Sequence, residues 1–186
     1  MKEKDMKGEK DSDLVWRFKQ GDEKAFNQLV LRYQRKIYDL IYRMIRNHQD
    51  TADLSMEVFV RAYKGLKDFG ERSSFYVWLA KIAVNLCINF SKREKFRSFL
   101  SLFDLRERPA ATSSPAQKME EKELKFAIGR AVRSLPPRQR SCFVFKFYQG
   151  LSHQEISEIM GISEGAAKAN YFQAIKKLQS LLAQYR

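Results

Sequence analysis

The residues best placed to do chemistry lie near the end of the chain, in GLSHQEISEIMGISEGAAKAN and the residues after it. Ser152 with Glu155 three residues later is a capping box, the usual start of a helix. Ile156, Ile159 and Met160 give that helix an apolar face. Gly161 supplies the turn, and Ser163 caps a second helix that begins at Glu164. Two helices joined by a short glycine turn form a helix-turn-helix, whose second helix enters the DNA major groove. In that helix Ala167, Tyr171, Ala174, Ile175 and Leu178 should face a core. The opposite face then offers Glu164, Gly165, Lys168, Ala169, Phe172, Gln173 and Lys176. Lys168 and Lys176 can neutralise phosphates, Gln173 and Glu164 can hydrogen-bond base edges, and Phe172 can touch a thymine methyl. Lys177 is as well explained by plain solvation.

A second constellation lies near the middle. Arg72, Ser73, Ser74, Phe75, Tyr76 and Trp78 set aromatic rings beside small polar groups and a cation. Asn85 and Asn89 stand four apart, on one helical face, and Lys92, Arg93, Lys95 and Arg97 make a basic end. Interleaved rings and cations suit unstacked single-stranded bases, each of which offers a π-face. The spacing of Trp78 with Ile82 places that ring in a core instead. Catalytic groups are scarce. His48 and His153 stand singly at helix starts, and no paired carboxylates, phosphate-binding glycine loop or metal-ligand spacing is present. No cofactor or metal is expected. Cys87 and Cys142 sit in apolar helical contexts and read as buried free thiols of a reducing cytosol.

The 186 residues hold 35 Lys and Arg against 22 Asp and Glu, a net charge of +13 that favours a polyanionic partner. An anionic membrane surface would satisfy the same charge. The N-terminal MKEKDMKGEKDSD has no apolar stretch behind it, so no leader is expected, nor any membrane insertion. Helical spacing recurs throughout and alternation nowhere, which predicts an all-α chain. A tail covers residues 1–12. An N-terminal domain, 13–96, holds helices from about Asp13, after Asp22, from about Asp50 to Asp68, and from Phe75 to Lys95 with Ser73 or Ser74 as its cap. The Pro- and Ser-containing stretch RERPAATSSPAQK marks a flexible linker, 97–120. A C-terminal domain, 121–186, resumes with Leu124, Ile128, Ala131, Val132 and Leu135, then a helix from Arg138 to Gln149, then the helix-turn-helix.

With these segments in order, the chain resembles the extracytoplasmic-function (ECF, group four) sigma factors of bacterial RNA polymerase. QDTADLSMEVFVRAYKGL resembles their clamp-binding segment and RSSFYVWLAKIAVNLCINF their −10 melting segment. LPPRQRSCFVFKFYQGLSHQEISEIMGIS and EGAAKANYFQAIKKLQ resemble the start of their −35 domain and its recognition helix. The resemblance implies a cytoplasmic, non-enzymatic subunit that binds core polymerase and initiates transcription at chosen promoters. It implies −10 contacts through Arg72 to Tyr76, Asn85, Asn89, Lys92 and Arg93. It places −35 contacts on Ser163, Glu164, Gly165, Lys168, Ala169, Phe172, Gln173 and Lys176. Asp50, Asp53, Leu54, Met56, Glu57 and Phe59 would bind the β′ clamp, and the C-terminal domain would dock on the β flap. An anti-sigma factor is expected as a further partner. Ser55-Met56 replaces a usual Thr-Gln or Val-Gln pair, Ala166-Ala167 a usual Thr-Val, and Gln173 a common Arg. Fewer arginines on the recognition helix imply an unusual −35 preference. A free-standing helix-turn-helix regulator would explain the C-terminal residues equally well, but not the segment Arg72 to Asn89 or the acidic patch Asp50 to Glu57. A nucleic-acid-processing enzyme would need one of the two histidines to react.

Overall fold

A computed structural model describes residues 9–70, 72–101 and 117–185, with the side chains of 95, 97–101, 117–122, 125 and 184 left aside. Eight α-helices follow one another: α1 Asp11–Lys19, α2 Glu23–Ile45, α3 His48–Gly65, α4 Phe75–Ser101, α5 Gln117–Ser134, α6 Pro137–Phe143, α7 His153–Met160 and α8 Glu164–Leu181. The described residues contain no strand. Helix boundaries come from local chemistry. The Asp22 side chain accepts from the Lys24 N–H at the start of α2, and Asn47 accepts from the Asp50 N–H at the start of α3. Ser74, rather than Ser73, caps α4 by accepting from the Val77 N–H. α4 runs on to Ser101 and α5 starts at Gln117, so both ends of the predicted linker are helical; the tail up to residue 8 and residues 102–116 lie outside the described residues.

The first half packs α1, α2, α3 and α4 around Leu14, Leu29, Ile37, Leu40, Ile41, Val58, Leu66 and Leu79. In the second half α6, α7 and α8 close over Phe145, Ile156, Ile159, Ala167, Ala174 and Leu178. The Ser152–Glu155 capping box forms with both bonds present, and Gly161 takes a φ of +62° at the turn. Ser152 N–H and Oγ–H both donate to Glu155, and these bonds hold its carboxyl below the usual carboxylate range. A folded-state value below the unfolded one gives stability that is present at neutral pH and lost as acid protonates the group. Ser152→Ala should therefore cost about 1 kcal/mol, read as a lower thermal midpoint, with the difference from wild type shrinking as the pH is taken below the carboxylate range.

The two halves do not stand apart on a tether. α6 and α7 lie against α4, while α5 and the residues just after α6 lie against α2, and one continuous hydrophobic cluster runs through both. The reason is written on α4, whose buried Phe75, Tyr76, Val77, Leu79, Ala80, Ala83, Val84, Leu86 and Cys87 surround most of the helix axis. A helix apolar on most sides needs neighbours on most sides. Arg140 joins the halves. Only 6% exposed, it donates from Nη1 to the Met44 carbonyl at 2.6 Å and from Nη2 to the Leu135 carbonyl at 3.1 Å. Burial, then the charge of Arg133, holds its guanidinium below its ordinary pKa. Arg43 stacks over Tyr148 at 3.8 Å, and Tyr76 Oη donates to Gln149 at 3.1 Å.

The predicted single helix from Arg138 to Gln149 is also corrected. It starts at Pro137 and changes after Phe143 to a π-helical stretch, Val144–Tyr148. The wider turn shifts the register, so Val144 and Phe145 are fully buried while Phe147 is exposed. Both thiols are buried and unpaired as expected, and desolvation pushes Cys87 up to about 12 and Cys142 up to about 11.

Candidate nucleic-acid and polymerase interface

The recognition helix presents the predicted face. Ser163 caps α8 by accepting from the Ala166 N–H, and Ala167, Ala174 and Leu178 are buried. Glu164, Gly165, Lys168, Ala169, Phe172, Gln173 and Lys176 are all exposed on the other side. Gln173 is not wholly free, because its Oε1 accepts from Gln139 Nε2 at 2.7 Å, which orients the amide. No acidic side chain pairs with Lys168 or Lys176 among the described residues, so both can meet phosphates.

The −10 candidates divide into two groups. Asn85, Asn89 and Lys92 are exposed and, with Lys81, form one stripe along α4 at steps of four, four and three. Lys81 was missed in the sequence, although its spacing to Asn85 was the available signal. Arg72, Ser74 and Arg93 are also exposed, and Ser73 is half-buried. Phe75 and Tyr76, by contrast, are buried. Phe75 packs among Tyr33, Phe69 and Trp78 with ring centroids 5.4 to 6.1 Å away, which makes it core of the first half. Tyr76 stacks on Tyr33 at 6.0 Å, lies under Lys36 at 3.5 Å and is closed off by Gln149 of the second half. No base can reach Tyr76 in this arrangement.

The polymerase-binding candidates meet a groove of about 910 Å³ between α2 and α3. Met56 and Phe59 line it, together with Val30, Tyr38, Val60 and Tyr63. Met56 is 70% exposed, an unusual position for a large apolar side chain unless something covers it. Asp53 stands exposed outside the groove, Asp50 lies in the first turn of α3, Glu57 pairs with Arg61 at 2.7 Å and Leu54 packs toward the core. None of these three acidic residues lines the groove, whose charged lining is Glu23, Arg35 and Lys64. Val60, Tyr63 and the α2 wall were not named as site residues from the sequence.

Each histidine packs against tyrosine. His48 Nδ1 and Tyr38 Oη lie 2.8 Å apart, and its ring stacks on Tyr42 at 4.5 Å. His153 lies edge-on to Tyr171 at 5.8 Å. No helix among the described residues is long and apolar enough to cross a membrane.

Comparison with known proteins fits these surfaces. Residues 29–97 match the family described as Sigma-70 region 2, and residues 125–178 match Sigma-70, region 4. The chain is 31% identical to the RNA polymerase sigma-H factor of Pseudomonas aeruginosa, over 94% of each chain. It is 35% identical to the ECF RNA polymerase sigma-E factor of Escherichia coli K12, over 88% of this chain and 90% of that protein. Among solved structures, CnrH in complex with the cytosolic domain of CnrY shares the fold with a TM-score of 0.68 at 23% identity, covering 94% of this chain and 97% of that one. The sigma factor RpoE of Bartonella quintana, in complex with the anti-sigma factor NepR, shares it with a TM-score of 0.65 at 21% identity, over 88% and 99%. With a region 2 on α2 to α4, a region 4 on α5 to α8, and full-length relatives of this kind, the chain belongs to the ECF sigma factors of bacterial RNA polymerase.

Proposed function

We propose that this sigma factor, acting in the cytoplasm and performing no catalytic step itself, is held closed until core polymerase draws its halves apart. The observation that carries this reading is the clasp of Arg140 on the end of α2, with Tyr76 shut beneath Gln149. Elements at −35 and −10 lie about 25 base pairs apart, or roughly 85 Å at ~3.4 Å per pair. A compact chain of 186 residues has a radius of gyration of only about 16 Å. The closed arrangement thus cannot reach both elements at once. The fifteen residues between Ser101 and Gln117 limit the added reach to roughly 50 Å.

Once open, the apolar groove of Met56 and Phe59 takes the β′ clamp, and Asp50, Asp53 and Glu57 on the same helix α3 meet basic groups there. The exposed ring of Phe147 offers the second half an apolar seat on the β flap, while Phe172 stays on the DNA face of α8. Lys168, Gln173 and Lys176 then read the −35 duplex, while Asn85, Asn89, Lys92 and Arg93 hold −10 bases. Each module is weak alone, and polymerase supplies the fixed separation that makes them act together. An anti-sigma factor would act by covering the groove or by reinforcing the closed form. Met56→Asp tests the reading directly. A charge in the groove floor should weaken binding to purified core polymerase at least about tenfold, the cost of desolvating an unpaired carboxylate, and run-off transcription should fall with it. Because Met56 faces solvent, thermal stability should not change; full polymerase binding by the variant would refute the assignment of the groove.

A further inference from the structure

Where α2 ends against α5, the seam between the halves gathers three arginines. Arg46 from α2 and Arg130 and Arg133 from α5 line a cavity of about 290 Å³, with Tyr42, Phe126 and Gly129 as its other walls. None of the three arginines has an ion-pair partner among the described residues. Closing the molecule brings these like charges together, which costs free energy that a bound anion would return.

Arg46 is built into the site. It is the single non-glycine residue with positive φ among those described, at +61°, a conformation that persists where the surroundings impose it. Its guanidinium lies flat on Gly129, so close that a Cβ there would stand 2.5 Å from Nη2. Its Nε is buried and has no hydrogen-bond partner. Its charge sits 5.7 Å over the ring of Tyr42, and Arg130 sits 5.1 Å over Phe126, whose ring is exposed. Guanidinium forks match phosphate oxygens, and the exposed ring of Phe126 can take a planar base. The volume is near the lower end for small-molecule sites and suits one nucleotide rather than a large cofactor.

We propose that the α2–α5 seam binds a nucleotide, its phosphates held by Arg46, Arg130 and Arg133 and its base laid against Phe126. A ligand gripped by side chains of both halves binds only the closed arrangement and so stabilises it. None of the residues assigned to promoter or polymerase takes part, so this site can fail while those assignments stand, and the reverse.

Calorimetric titration of the full chain with ATP tests the site, with tripolyphosphate and adenosine as parallel arms. ATP should bind once per chain, tripolyphosphate more weakly and adenosine not measurably. Arg46→Gly removes the guanidinium while placing at +61° the residue that suits it, so the fold and thermal midpoint should hold while ATP affinity falls at least about tenfold. Arg130→Gln combined with Arg133→Gln should weaken ATP similarly from the other half. Hydrogen exchange should show ATP protecting the end of α2 and the last turns of α5 together. Undetectable ATP binding, or equal affinity in Arg46→Gly, would overturn the site; tripolyphosphate binding as tightly as ATP would overturn its assignment to a nucleotide.

Discussion

Replacing Arg140 with alanine is expected to open the molecule. The Met44 carbonyl it holds is among the last carbonyls of α2, which have no partner within the helix. The Leu135 carbonyl it also holds belongs to the turn between α5 and α6. No carboxylate shares the site among the described residues, so the charge is balanced by carbonyl dipoles and the negative end of α2. Hydrogen bonds from a charged donor contribute about 1.5–3 kcal/mol each, and truncation leaves two carbonyls without their donor and a void between the halves. A net loss of about 3 kcal/mol is expected, seen as a lower thermal midpoint and as a larger radius of gyration in small-angle scattering. Arg140→Lys should fall between, because an ammonium keeps the charge but cannot fork to both carbonyls. Opening in advance also removes work that polymerase would otherwise do, so Arg140→Ala should bind core polymerase more tightly despite its lower stability. An unchanged radius of gyration would show that the clasp does not hold the halves together.

That clasp marks where the sequence stops being informative. Helix starts were readable because a cap acts within three residues: Asp22, Ser152 with Glu155, and Ser163 all cap the helices expected of them. The exposed face of α8 was readable for the same reason, since its period follows from the helix alone. Arg140 was not. In LPPRQR its neighbour Arg138 is exposed, and nothing local distinguishes a buried arginine from a solvated one. Of the two carbonyls that accept from it, the one in the other half is 96 residues earlier in the chain. Phe75 and Tyr76 illustrate the opposite error. Rings beside serines and an arginine suggested an open pocket, whereas Tyr33, Phe69 and Trp78 close over Phe75 and Gln149 closes over Tyr76. The warning lay in α4 itself, because a segment apolar on most faces has to be surrounded. The π-helical turn that turns Phe147 outward has no sequence signature that periodicity could detect.

Asn85→Ala should separate promoter opening from every other property of the chain. Asn85 is exposed at mid-helix, and its amide makes no hydrogen bond to a described residue, so neither fold nor closure depends on it. Its loss should move stability by no more than about 0.5 kcal/mol, as for other surface positions. The amide carries both donors and an acceptor, which match a base edge in a way that Lys81 and Lys92, four before it and seven after it on the same stripe, cannot. A lost bidentate contact costs about 1–3 kcal/mol, a ten- to hundredfold drop in open complexes at the preferred −10 sequence. The lysines contact phosphate instead, so Lys81→Ala should weaken all promoters alike and lower the salt dependence by about one charge. Run-off transcription and permanganate reactivity across a set of single-base −10 variants distinguish the two. With Asn85→Ala one base position should lose its discrimination while polymerase binding stays intact. If every −10 variant keeps its rank, Asn85 reads no base, and −10 specificity must come from the exposed loop before α4 or from Tyr76, which only the open molecule uncovers.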